Sequence, residues 1–365
     1  MKHSERFRRV MEYEEVDCPP FFEESVWPET LRRWHSEGLP EDRSWEETLG
    51  ISPLRFYHHG FNHALNPPFT EKVLEEDDEM VLMIDCWGRT SRVFRNRTSM
   101  PEWLEFPVKS VADFEMILDR FDYDPEARLA PDWEERVRTM NSPDFDALVA
   151  PCIGNYYFTL SALAGVEQTA YLFMDAPRLI HEYMDRICRL CEWFLHRILS
   201  LVPGIFCLGT GEDLAYKNGP FFSPAVFKTF FEPRYRHLID VAREYGVHHV
   251  FLDSDGNFTM LLEQMLDAGM TIFCPVEVAS GMDPVQLRER FGRRLRMVGG
   301  VDKRIVAAGK DAIRREMDRL YPVVREGGFV PKIDHSVSSD ISWDNFRYYI
   351  DALRSLYRRC AESIA

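Results

Sequence analysis

The second half of the chain alternates short β-rich runs with long amphipathic runs, and this alternation constrains the fold more than any other feature. Apolar runs predict strands at Ile205–Gly209, His249–Asp253, Thr271–Val276, Leu295–Gly299 and Gly328–Ile333. Runs with helical spacing follow them at Phe222–Tyr245, Asn257–Ala268, Asp283–Phe291, Ile305–Glu326 and Trp343–Arg358. Consecutive strand–helix units predict an α/β fold with a parallel sheet wound into a barrel.

The first half is less regular. It predicts a helical extension over Met1–Val16, strands at Pro19–Phe22 and Leu148–Cys152, and helices at Leu160–Leu172 and Pro177–Leu201. It also predicts a small β-rich insertion at about residues 81–108, built from Val81–Asp85, Thr90–Asn96 and Leu104–Val108. This insertion is expected to cover one mouth of the barrel. Because no low-complexity linker or repeat divides the chain, we expect residues 1–365 to form one domain.

Charge and apolar patterning exclude several classes of function. Sixty acidic residues against 44 basic ones give a net charge of −16, which argues against nucleic-acid binding because phosphate contacts need a basic surface. No apolar run approaches the ~20 residues of a membrane span, and the charged N-terminus lacks the pattern of a signal peptide. The scattered cysteines indicate reduced thiols. We therefore expect a cytoplasmic protein, and a homodimer stays open.

Acidic residues follow several of the predicted strands. Asp253 is the last residue of the predicted strand His249–Asp253, Asp255 lies two residues further on, and Glu277 follows the next strand. In a barrel these positions lie at the catalytic rim, but turn formation, helix capping or a salt bridge from Glu277 would explain the same residues. The remaining candidates for substrate binding are Glu212, Asp213, Asp302 and Asp334, with capping of the next segment as the alternative for Glu212 and Asp213.

The last predicted strand ends in a polar group. His335 would act as an acid and base near neutral pH or bind a metal, and Asp334 would fix its tautomer. The alternative is a solvated surface pair. The histidines at 58, 59 and 63 are interpreted as a surface or inter-subunit loop, and Cys188 and Cys191 as packing residues of a helix.

Several segments resemble one family along nearly the whole chain, in order. They are RFRRVMEYEEVDCPPFFEE, EDLAYKNGPFFSPAVFKTFFEPRY, FLDSDGN, VGGVDKR and DHSVSSDISWDNFRYYIDAL. Together they resemble uroporphyrinogen-decarboxylase-like proteins, a group that includes cobalamin-dependent and thiol methyltransferases. The resemblance implies a (β/α)₈ TIM barrel with its site at the C-terminal face of the strands.

The resemblance also implies departures from both family reactions. The decarboxylases grip substrate carboxylates with arginines after the first strand, where this chain has Glu23 and Glu24, so a porphyrinogen would be repelled. The methyltransferases bind zinc through a His-x-Cys pair and a later Cys. Asp253 and Asp255 stand at the first two positions and His335 near the third, so an oxygen- and imidazole-based site replaces the thiolates.

Three functions remain open on the sequence. The leading hypothesis is a metal-assisted methyltransferase acting on a methylated small molecule, with Asp253, Asp255, Glu277 and His335 as ligands of a divalent metal, zinc first. A thiol or a corrinoid carried by a partner protein would exchange the methyl group. The second hypothesis is a lyase of the decarboxylase type on a non-porphyrin substrate, with Asp253 or Glu277 as proton donor. The third is a non-catalytic small-molecule-binding barrel.

Overall fold

The computed structural model describes residues 1–95 and 100–362. Its strands are β1 Lys72–Glu76, β2 Met80–Ile84, β3 Thr90–Phe94, β4 Glu102–Glu105, β5 Cys207–Gly211, β6 Ala215–Tyr216, β7 Gly219–Pro220, β8 His249–Asp253, β9 Ile272–Cys274, β10 Arg296–Val301 and β11 Phe329–Ile333. Its α-helices in the first half are α1 His3–Met11, α2 Pro28–Ser36, α3 Trp45–Leu49, α4 Val111–Ile117, α5 Trp133–Met140, α6 Tyr156–Asp175 and α7 Pro177–Leu201. In the second half they are α8 Pro224–Val226, α9 Glu232–Arg243, α10 Leu262–Ala268, α11 Pro284–Phe291, α12 Lys303–Ala308, α13 Lys310–Glu326 and α14 Trp343–Glu362.

The chain folds into a (β/α)₈ barrel, as predicted. Within the described residues, a parallel sheet has the order β11-β10-β9-β8-β5. Isolated parallel bridges continue this pairing around a ring, joining Cys152 to Gly209, Phe56 to Leu148, Phe22 to Leu54 and Val26 to Val337. Because Val337 follows β11, the last bridge returns the ring to its start. All the strand ends on one face therefore surround one mouth.

The five predicted strands of the second half are all present, and four of them have shifted ends. β8 has the predicted bounds, whereas β9 stops at Cys274, two residues before the predicted end. Pro275 has no N–H to donate, and Val276 has a left-handed backbone with φ of +46°. The strands predicted at 19–22 and 148–152 contribute isolated bridges to the ring instead of regular strands.

The β-rich region of the first half is an antiparallel sheet with the order β1-β2-β3-β4. It begins at Lys72, ahead of the range predicted for the insertion, and the predicted strand end at Asn96 lies outside the described residues. After β4 the chain returns to the barrel, where the backbone N–H of Val108 donates to the carbonyl of Leu163 at 3.0 Å. α6 is interrupted close by at Gly165 (φ 72°, ψ 165°), where an added Cβ would lie 2.9 Å from the Phe106 ring.

Side chains of the N-terminal helix α1 fill the barrel interior at the N-terminal end of the strands. Phe7, Val10 and Met11 of α1 pack in one core cluster with inward residues of the ring, including Phe22 and Phe251. This packing closes the N-terminal end of the barrel and leaves the C-terminal face for a site. No described helix is long and apolar enough to cross a membrane.

Candidate active site

The loop after β8 is held against its neighbours on both sides. The backbone carbonyl of Asp253 accepts from the N–H of Glu212 at 2.9 Å, and Ser254 N–H donates to the carbonyl of Cys274 at 2.8 Å. A Cβ at Gly256 (φ +80°) would lie 2.4 Å from the carbonyl oxygen of Ala215, so only glycine fits this close approach. The loop thereby fixes the directions of the two carboxylates that it carries.

Asp253 and Asp255 face two different cavities. Asp253 lines a cavity of about 380 Å³ together with the aromatic rings of Phe56 and Phe251. Asp255 lines a cavity of about 250 Å³, together with Asp213. The two-residue spacing therefore places one carboxylate on each side of the loop, and a ligand in either cavity meets an acidic group.

His335 approaches Asp255 from the loop after β11. Its Nε2 lies 3.6 Å from Oδ2 of Asp255, and its Nδ1 accepts a hydrogen bond from the Ser336 N–H at 2.8 Å. Because Nδ1 is an acceptor, the proton of the neutral ring is assigned to Nε2, which faces the carboxylate. Interaction with Asp255 raises the pKa of His335.

Asp253 has the environment of a general acid. Its side chain is exposed to the cavity, while the surrounding protein limits its hydration. This desolvation, with the negative charges of Asp255 and Asp213, raises the pKa of Asp253 to about 6. Lys332 and His335 oppose the shift only in part. A carboxyl group with a pKa near the working pH can both give and take a proton.

Lys332 brings a positive charge to the same mouth. It lies on β11 opposite Gly300 of β10, and its Nζ is 5.9 Å from the centre of the Phe22 ring. Desolvation would lower the pKa of Lys332, but Cys274, Glu24 and Asp253 together raise it, so the ammonium form is kept. Among residues 1–95 and 100–362 it donates no described hydrogen bond within 3.5 Å.

Glu277 and Asp213 lie at the same mouth with different contacts. Oε2 of Glu277 accepts from the N–H of Gly256 at 2.9 Å, which braces the Asp255 loop, and the Glu277 charge acts on His335. Asp213 has a left-handed backbone (φ 43°) and is exposed. Desolvation and the charge of Asp255 raise the pKa of Asp213. Both residues remain candidates for contact with a ligand.

The other predicted substrate-binding carboxylates make structural contacts. Glu212 is fully buried, and it accepts from the N–H groups of Tyr156 at 2.7 Å, Tyr157 at 2.7 Å and Phe158 at 3.1 Å, and from the Tyr235 hydroxyl. It thereby caps the first turn of α6, which corresponds to the capping alternative. Burial raises the pKa of Glu212 to about 7.

The carboxylates of Asp302 and Asp334 also accept hydrogen bonds from backbone N–H groups. Asp302 caps α12 through the N–H of Arg304 at 2.8 Å and pairs with the Arg304 guanidinium at 2.6 Å. Burial alone would raise the pKa of Asp302, but the bonds from Arg304 lower it. Asp334 accepts from Val278 N–H at 2.9 Å and Lys303 N–H at 3.2 Å, and its burial raises its pKa to about 6. It ties three strand-end loops together and does not contact the His335 ring in any described hydrogen bond.

The predicted metal ligands do not form a metal site in this arrangement. In the described part of the chain, no three His, Cys, Asp or Glu side chains are grouped so that they could hold one ion. The Nε2 atom of His335, to which the ring proton is assigned, faces Asp255, and one oxygen of Glu277 accepts from the Gly256 N–H. Asp253 and Asp255 point into separate cavities. The donor set therefore fits acid–base chemistry better than metal binding.

The Asp253 cavity is also lined by residues that were not predicted as site residues. His58, His59 and His63 lie on its wall, and the His63 Nε2 is 3.5 Å from the Cys152 sulfur. Burial lowers the pKa of His59 to about 3 and of His63 to about 4, so both rings are neutral. No local pattern links residue 63 to residue 152. The position of Lys332 could have been predicted from the sequence. Side chains alternate along a strand, so Lys332 lies on the same face as Val330, which points inward.

The fold and the site define a (β/α)₈-barrel protein with carboxylates, a histidine and a lysine at the C-terminal face of its strands. The family model for uroporphyrinogen decarboxylase (URO-D) matches residues 155–356, and the chain belongs to this family. A uroporphyrinogen decarboxylase from Synechocystis is 20% identical over 197 residues, which are 52% of this chain and 51% of that protein. The match thus spans about half the length of that curated relative.

A solved structure agrees with the fold over the full length. A methyltransferase from Methanosarcina mazei superposes with a TM-score of 0.59 at 16% identity, covering 98% of this chain and 99% of that chain. At this identity the likeness shows the fold alone.

Proposed function

We propose that this chain is an acid–base lyase of the decarboxylase type that acts on a small, non-porphyrin carboxylic acid. The observation that supports the proposal most is the environment of Asp253. Its carboxyl group lines a cavity and its pKa is raised to about 6, and the Asp255–His335 pair lies next to it. The proposal takes residues 1–365 as one domain whose four-stranded sheet lies beside the mouth.

The chemistry assigned to these residues is a proton transfer followed by loss of CO₂. Asp253 gives its proton to an electron-rich carbon that bears the carboxylate. The bond from that carbon to the carboxylate then breaks, its electron pair returns to the substrate, and CO₂ leaves. Hydrogen has replaced the carboxylate, and Asp253 recovers a proton from water, with His335 as the neighbouring group able to pass it.

Lys332 is the group proposed to receive the substrate carboxylate. Its ammonium interacts electrostatically with Asp253 and donates no described hydrogen bond, so a carboxylate bound to it would lie near the proton donor. Glu23 and Glu24, which stand where the porphyrinogen enzymes have arginines, make contacts within the protein. Glu23 pairs with Arg55 at 3.2 Å, and Glu24 is buried against Ile333 N–H and the Tyr349 hydroxyl, each at 3.0 Å.

Methyl transfer is the second candidate. Asp255 and His335, which the resemblance puts at zinc-ligand positions, approach within 3.6 Å, and this is the observation in its favour. It would require a divalent metal, zinc first, and a corrinoid protein or thiol as partner, but the donors described above do not suit such an ion. A non-catalytic binding barrel would keep the cavities and the acidic mouth without turnover.

The experiment is a panel of small carboxylic acids incubated in D₂O with protein freed of metal by chelation. The proposal expects CO₂ release and a solvent deuteron at the vacated carbon. Asp253→Asn should lower the rate by about 10²–10⁴-fold, and Asp267→Asn, in the exposed pair with Arg294, should keep it. Release of a methyl group without CO₂, or methyl release that begins only after metal is restored, would instead support the methyltransferase hypothesis. Binding without any turnover would support the binding barrel.

A further inference from the structure

The cavity on the Asp255 side of the loop has an aromatic wall and an acidic end. Its aromatic side chains come from β4, the segment after it, α6 and the loop after β7: Trp103, Phe106, Tyr157, Phe158 and Phe221. Tyr157 stacks on Phe221 with ring centres 5.7 Å apart, which makes part of this wall rigid. Asp213 and Asp255 supply the acidic end.

The charge of this cavity is negative although an arginine lines it. Arg89 is paired with Asp85 at 2.8 Å, and its guanidinium lies over the Trp103 ring, 4.6 Å from the ring centre. Its charge is therefore already balanced. Asp213 makes no salt bridge within 4.0 Å among the described residues, and the partner of Asp255, His335, carries a full charge only when protonated. A cation in the cavity would meet the Asp213 carboxylate, for which no salt bridge is described, and the carboxylate of the Asp255–His335 pair.

Aromatic faces and carboxylates together select a particular ligand chemistry. The negative face of an aromatic ring attracts a cation, and the attraction strengthens where water is excluded, as in the recognition of quaternary ammonium groups. A purely apolar ligand gains nothing from the carboxylates, and an anion is repelled by them. At about 250 Å³ the cavity suits one small head group instead of a whole large ligand.

We propose that the cavity between Asp213, Asp255 and the aromatic wall binds the ammonium head group of the substrate, preferably a methylated one. This inference rests on the proposed function, since it assigns a substrate class to the same mouth: a zwitterion that spans the loop between the two cavities, with its carboxylate at Lys332 and its cation in this cavity. Asp255 belongs to the loop that carries Asp253, so an ammonium group bound there would hold the substrate beside the proton donor.

The test measures binding without turnover, so its failure is separate from a failure of the lyase chemistry. Calorimetry compares choline with 3,3-dimethylbutan-1-ol, which has the same shape and no charge. We expect saturable binding of choline and at least about tenfold weaker binding of the alcohol. Asp213→Asn, which keeps the shape and tolerates the left-handed backbone, should weaken choline binding by about tenfold or more, as should Phe158→Leu.

The control is Asp267→Asn, whose exposed carboxylate pairs with Arg294 and should leave choline affinity unchanged. Melting temperatures of all variants separate lost binding from lost folding. Equal affinity for choline and the alcohol, an absence of saturable choline binding to the wild type, or full affinity in a folded Asp213→Asn protein would overturn the proposal.

Discussion

His335 and Asp255 form an oriented pair: Nε2 of the ring lies 3.6 Å from Oδ2 of the carboxylate, while Nδ1 accepts from the Ser336 N–H at 2.8 Å. The backbone contact fixes the ring so that its proton-bearing nitrogen faces the acid. Because Asp255 raises the pKa of His335, Asp255→Asn should lower that pKa. NMR titration of the His335 ring measures this pKa, and Asp267→Asn serves as the control variant, which should leave the pKa of His335 unchanged. An unchanged pKa in Asp255→Asn would show that the pair does not exist in solution.

Metal content is predicted not to depend on His335. The ring nitrogen that faces the mouth carries the proton, and the described donors do not group around one point. His335→Ala should therefore leave the metal content of the purified protein unchanged, at less than ~0.1 equivalent in both proteins after supplementation and desalting. A stoichiometric divalent ion in the wild type that is lost from His335→Ala would contradict this and favour the metal-assisted methyltransferase.

Glu212 is predicted to matter for stability. Its carboxylate accepts from three consecutive backbone N–H groups of α6 and from Tyr235, and of these residues Tyr156, Tyr157 and Tyr235 are buried with it. Glu212→Ala should lower the free energy of unfolding by about 3 kcal/mol or more, because buried donors lose their acceptor. Urea denaturation measures the change. Glu134→Ala, on the exposed face of α5, should cost less than ~0.5 kcal/mol. Equal effects of the two substitutions would refute the capping role.

Uroporphyrinogen is predicted to be neither bound nor decarboxylated. Glu23 and Glu24 stand where the family's clamp arginines would be, so the clamp is missing, and the mouth carries Asp213, Asp253 and Asp255. A ligand with many carboxylates meets like charge there. An assay of uroporphyrinogen decarboxylation with the purified chain measures this directly, and turnover at an ordinary enzymatic rate would show the electrostatic reasoning to be wrong.

The barrel could be predicted because strand and helix periodicity is a local signal. β8 ends where its run of apolar residues meets Asp253, and α7 has the predicted bounds, Pro177–Leu201. The ends of β9 could not be predicted, since they depend on the left-handed backbone at Val276. The segments around Phe22 and Leu148 pair only through isolated bridges, which leave a weak local pattern.

The site was predictable where a side chain directly follows a strand, and less so where burial decides the role. Glu212 and Asp213 are adjacent in sequence, yet Glu212 is fully buried against α6 while Asp213 lines a cavity. This difference in burial follows from the turn after β5, and the amino-acid composition does not predict that turn. The part of the Asp253 cavity formed by His63 and Cys152 depends on contact between distant segments, so only the folded chain reveals it.

Measuring the pKa of Asp253 tests the proposed role of this residue most directly. Carboxyl ¹³C NMR of the labelled protein, with Asp253→Asn to assign the signal, should give a titration midpoint near 6. Lys332→Met should raise it further, because the ammonium opposes the shift. Since the protonated form is the proton donor, turnover should fall as the pH rises through about 6. A wild-type midpoint at the ordinary value of about 3.9, unmoved in Lys332→Met, would contradict the assignment of Asp253 as the general acid.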